Sequence, residues 1–152
     1  MNGEILLHDY NLAWNQVERL IARRQNVTTT YLSVNAAIFA SVGFLIKDAP
    51  HNKGVYVSVI VLLIAGLGSC EIWRQLIHKY SGLLRWWYTQ LRDMEQRIEG
   101  SWKLANLEYN DLYIRNRGNN RFLLTQYEVG LTSVFALVYI IFALGLVIYF
   151  TN

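Results

Sequence analysis

The chain reads as an all-α membrane protein, and three features say so. Three apolar runs carry no charge: Val27–Ile46, Val55–Cys70 and Val129–Phe150. Lysine and arginine are spread unevenly over the segments between them. The segment after the second run keeps an apolar seam at helical spacing, and the single proline, Pro50, lies well away from it. A bilayer core takes about 20 mostly apolar residues per helical crossing. The first and third runs meet that length. The second is shorter, and Ile72 and Trp73 extend it past Glu71.

Orientation follows from the cations. The loop between the first two runs holds Lys47 and Lys53, and the N-terminal segment holds Arg19, Arg23 and Arg24. The long segment between the second and third runs holds Arg74, Lys79, Arg85, Arg92, Arg97, Lys103, Arg115, Arg117 and Arg121. Positive residues stay inside, so the N-terminus and the long segment are expected in the cytoplasm, and the Pro50 loop and the C-terminus outside. Topology thereby accounts for the net charge of +3 without a nucleic-acid partner. The expected parts are a cytoplasmic amphipathic helix (1–25), a transmembrane hairpin (26–70), a cytoplasmic helical segment (71–128) and a third transmembrane helix (129–150). None reaches the usual size of an independent domain, about 100 residues. Residues 1–25 have no uninterrupted apolar stretch and no small-residue cleavage site, so no signal peptide is expected.

In the N-terminal segment Leu6, Tyr10, Ala13, Val17 and Leu20 recur at steps of four and three, the mark of an amphipathic helix. Arg23 and Arg24 follow at the headgroup level, either as a topology anchor or as ligand contacts. After the second run Trp73, Ile77, Tyr80, Leu84, Trp87, Leu91, Met94 and Ile98 step by four and three without a break. Charged and polar residues, Glu95 among them, are assigned to the other faces. One long helix is expected to continue from the second span into the cytoplasm for about 40 Å, at 1.5 Å per residue. Its seam must be covered by the N-terminal helix or by neighbouring copies. Gly100 and Ser101 should end it, and Trp102–Tyr113 should form a shorter helix.

Enzymatic chemistry has little support. His8, His51 and His78 are scattered, Cys70 is the single cysteine, and no phosphate loop or nucleophile elbow is present, so no catalytic residue, metal or cofactor is expected. The first run is the most polar. Its Asn35 carries two donors and an acceptor that lipid cannot satisfy. It therefore bonds to another helix or lines a water-filled path. Thr28, Asn35 and Val42 share one face at heptad spacing, which makes them the expected lining of such a path. Arg115 and Arg117, in a turn rich in glycine and asparagine, suit phosphate oxygens or anionic lipid, with an anchoring role as the alternative. Trp86 and Tyr88 lie off the seam and are unaccounted for.

Arg23-Arg24 followed by Tyr31-Leu32-x-Val34-Asn35-x-Ala37 resembles the start of the first span in the RipA-like family of small bacterial inner-membrane proteins. So do Trp73, Leu76-Ile77, Tyr80, Leu83-Leu84, Leu91, Met94-Glu95 and Glu108-Tyr109, the resemblance covering about residues 19–113. It implies an oligomer, often an octamer, and a homo-oligomer of four or eight copies is expected. The architecture is also similar to the channel component of Hailong-type anti-phage systems, which implies a nucleotidyltransferase partner and a single-stranded DNA ligand.

The expected function is a homo-oligomeric inner-membrane channel of anti-phage defence. An anionic nucleotide or oligonucleotide would gate it through Arg23, Arg24, Arg115 and Arg117. The competing expectation is a non-conducting scaffold that recruits a partner protein.

Overall fold

A computed structural model of the chain describes residues 3–48, 53–98, 103–110 and 124–151. Helix α1 spans Gly3–Asp48, α2 Lys53–Arg97, α3 Leu104–Tyr109 and α4 Leu124–Thr151. The N-terminal segment and the first apolar run therefore share one unbroken helix. No proline interrupts either α1 or α2, and Pro50 falls outside the described residues. Gly100 and Ser101, where the long helix was expected to end, fall there too. α3 is shorter than the expected 102–113 helix, and residues 102 and 111–113 lie outside the described ones.

Three helices are long and apolar enough to cross a membrane. Their most apolar windows have mean hydropathies of 1.5 in α1, 2.2 in α2 and 2.6 in α4, so the first span is the most polar. The chain divides into two units. One comprises Met1–Gln25 and His78–Gln126, the other Asn26–Ile77 and Tyr127–Asn152.

In the first unit Ala13, Val17 and Leu20 of α1 pack against Leu84 and Leu91 of α2. Tyr10, Tyr80, Trp87, Tyr88 and Met94 border this core and are half-buried. Here α1 buries Leu84 and Leu91 of the α2 seam. The alternate row, Tyr80, Trp87 and Met94, is left partly open. A fully buried aliphatic side chain contributes about 1.5–3 kcal/mol where the alternative is exposure to water.

The second unit packs Val42 of α1, Val59, Leu63 and Cys70 of α2, and Tyr139 of α4. Around its outside Val57, Ile64, Val134 and Ile148 are each about three-fifths exposed, as lipid-facing side chains should be. Lipid tails are as apolar as these residues. Association here rests on close packing and hydrogen bonds, not on escape from water.

Candidate functional site

Asn35 is completely buried and is the hub of the second unit. Its Nδ2 donates to the Tyr31 carbonyl at 2.7 Å and to Ser69 Oγ at 3.4 Å. Its Oδ1 accepts from Tyr139 OH at 2.9 Å and from Cys70 Sγ at 3.5 Å. Two donors and two lone pairs are thus all engaged. The partners come from all three spans, so one carboxamide ties α1, α2 and α4 together.

The Tyr139 ring reaches Asn35 because Gly66 leaves room. A Cβ on Gly66 would clash with the hydroxyl-bearing end of that ring. Phe39 stacks on the same ring, with centroids 4.4 Å apart and planes 14° from parallel. Trp73 is fully buried and stacks on Tyr31 at 6.1 Å, and its Nε1 has no acceptor among the described residues.

The residues expected to line a water path are placed against neighbouring helices of the same protomer. Asn35 is saturated by internal partners, and Val42 is 1% exposed in the apolar core. Thr28 Oγ1 donates to Glu128 Oε1 of α4 at 3.3 Å. The physical reason is one of facing. A carboxamide in a span gains more from a tyrosine, a serine and a thiol on adjacent helices than from an unpaired surface.

On α1 the face on the other side carries Thr29, Thr30, Ser33 and Ser41, all exposed. Ser33 lies about 200° around the helix from Asn35, at about 100° per residue. Ser33 Oγ donates to the Thr29 carbonyl at 3.0 Å, and Ser41 Oγ to the Ala37 carbonyl at 2.9 Å. Their oxygens remain available as acceptors on this surface.

Of the four arginines expected to bind a ligand, the structure describes two, and they differ in burial. Arg23 is exposed. Arg24 is 8% exposed, and its Nη2 donates to Thr125 Oγ1 at 2.9 Å, which donates in turn to Ser81 Oγ at 3.4 Å. Arg115 and Arg117 lie outside the described residues. No cluster of three or more His, Cys, Asp or Glu that could hold a metal occurs among the described residues.

A second polar hub, in the first unit, departs from the expected pattern. Glu95 does not take the outer face expected of it, being 2% exposed. Its Oε1 accepts from Tyr10 OH at 3.0 Å and from the Ala105 backbone N–H at 2.8 Å. Its Oε2 accepts from the Asn106 N–H at 3.0 Å and from Asn106 Nδ2 at 2.9 Å. Glu95 thereby caps the first turn of α3, where Lys103 stands in the left-handed region at φ 50° and offers no side-chain cap. Asn106 Nδ2 also donates to the Arg92 carbonyl at 3.1 Å, and the Arg92 guanidinium lies 3.7 Å from the centre of the Tyr109 ring. Spacing holds the missed signal. Glu95 follows Leu91 by four, one helical turn along the buried row.

Burial, and then the hydrogen bond to Glu95 and its charge, push Tyr10 up to about 12 from an ordinary 10.0. The fold thus favours the protonated phenol. Its contribution is whole below pH 10 and is lost as pH rises from 10 through about 12. In an alkaline titration of melting temperature, wild type should fall over this range more steeply than Tyr10→Phe. Parallel curves would remove Tyr10 from the account.

A family model described as the octameric membrane protein family matches residues 7–149 of this chain. No curated protein and no solved structure matches it.

Proposed function

Because the chain belongs to the octameric membrane protein family, we propose that its assembled copies form an ion channel in the bacterial inner membrane. The supporting observation is the exposed hydroxyl face of α1, with Thr29, Thr30, Ser33 and Ser41 turned away from the protomer core. Four hydroxyls on one side of a span suit a water path at the centre of a ring better than lipid. Thr28, Asn35 and Val42 hold that face in position from behind. The cation distribution supports a cytoplasmic N-terminus and a periplasmic C-terminus.

The gating ligand in this reading is an anionic nucleotide or single-stranded oligonucleotide on the cytoplasmic side. Exposed Arg23, with Arg115 and Arg117, supplies phosphate contacts, and Arg24 braces α1 through Thr125. Opening would depolarise an infected cell, with a nucleotidyltransferase as the source of the ligand. A second reading has its own observation: Ser33 and Ser41 already bond to their own helix, which makes a dry interface between copies workable. A non-conducting scaffold that recruits a partner protein follows from it.

Ion flux into proteoliposomes separates the two. Ser33→Leu with Ser41→Leu should cut flux by about tenfold through dewetting of the path, with the oligomer intact. Flux absent from the parent protein, with and without nucleotides, would give the scaffold reading.

A further inference from the structure

The first unit has a cleft of about 350 Å³ between α1 and α2. Leu12 and Ala13 of α1 and Trp87 and Met94 of α2 make its apolar part, and Asp9 and Arg19 stand at its edges. It opens where the alternate row of the α2 seam is only half-covered. Arg19 and Asp9 make no hydrogen bond or ion pair among the described residues.

The outward face of α3 in the same unit is complementary. Ala105 and Asn106 turn inward on Glu95, while Leu104 and Leu107 are 64% and 52% exposed. Glu108 stands beside them, exposed and without a partner among the described residues. Two leucines flanked by a carboxylate face one way, and an apolar cleft edged by a guanidinium opens elsewhere on the same unit.

We propose that α3 of one copy docks in the α1–α2 cleft of the next copy, with Leu104 and Leu107 against Trp87 and Met94 and with Glu108 paired to Arg19. Two different surfaces meeting in this way make a head-to-tail contact, which closes into a ring when the rotation per copy divides the circle. An eight-membered ring needs a contact of that kind or an alternation of two self-paired ones. The family's octameric description supplies the partner, a second copy of this chain. The proposal rests on assembly and is independent of conduction. Glu95 gains a further task in it, because it fixes the helix that carries the docking face.

The test co-expresses two versions of the full chain with different affinity tags, Gln16→Cys in one and Glu108→Cys in the other. Both retain buried Cys70. Membranes are oxidised with copper phenanthroline. A disulfide-linked dimer bearing both tags should exceed, by about tenfold, that formed when either variant is paired with the unsubstituted chain, because docking raises the effective thiol concentration. Arg19→Glu should shift the octamer toward smaller species, and Arg19→Glu with Glu108→Arg should restore it. Octamer retained with no two-tag dimer would overturn the proposal. In that case labelling of Gln16→Cys with a water-soluble maleimide distinguishes an open cleft from one filled by another occupant.

Discussion

Glu95→Ala is expected to free α3 and to destabilise the first unit by about 3–5 kcal/mol. The carboxylate is buried and takes four donors: Tyr10 OH, the Ala105 and Asn106 backbone N–H groups, and Asn106 Nδ2. Hydrogen bonds to a charged group contribute about 1.5–3 kcal/mol each, and a buried donor left without an acceptor costs about 1–3. The sum is not reached, since water enters once the side chain is cut back. Amide exchange should accelerate at Ala105 and Asn106 by about two orders of magnitude or more, with a lowered melting temperature in detergent. Glu95→Gln retains one oxygen and loses the other, so it should fall between. Unchanged exchange at both amides in Glu95→Ala would show that α3 is held by other contacts.

Gly66→Ala has the second large effect, a loss of about 2–4 kcal/mol in the membrane unit. The new methyl would overlap the Tyr139 ring, and Tyr139 is fully buried with Phe39 stacked on it. Overpacking of a filled core costs about 1–3 kcal/mol. Displacing the ring also breaks its bond to Asn35, and such bonds average about 0.6 kcal/mol in membranes. Tyr139→Phe alone should therefore be mild. The discriminating variant is Gly66→Ala in a Tyr139→Leu background, where the space is already vacated. There the alanine should cost clearly less than it does in wild type, a coupling that thermal unfolding in detergent can measure. Additive losses would mean that ring and methyl do not compete for the same space.

Local composition was enough for much of this protein. An uncharged apolar run long enough to cross a bilayer must be helical there, because no water satisfies its backbone. The three spans were legible for that reason, and so was the row Ala13, Val17 and Leu20, which α1 buries against Leu84 and Leu91. The need of Asn35 for partners was equally plain. Which partners it finds was not, because a helix repeats its faces regularly and nothing in α1 names the neighbour each face will meet. Ser69, Cys70 and Tyr139 come from other helices, and they turn Thr28, Asn35 and Val42 inward, leaving Ser33 and Ser41 outside. Glu95 shows the same division. Its place one turn after Leu91 is in the sequence, but a carboxylate is normally kept in water. Its burial becomes favourable only when Tyr10, eighty-five residues earlier, and the first turn of α3 bring it donors. What the chain alone determines are the properties of each helix, its length, polarity and rows. The pairing of polar groups across helices is decided by tertiary packing, since the energy that allows a polar side chain into a core belongs to the partners and not to the residue.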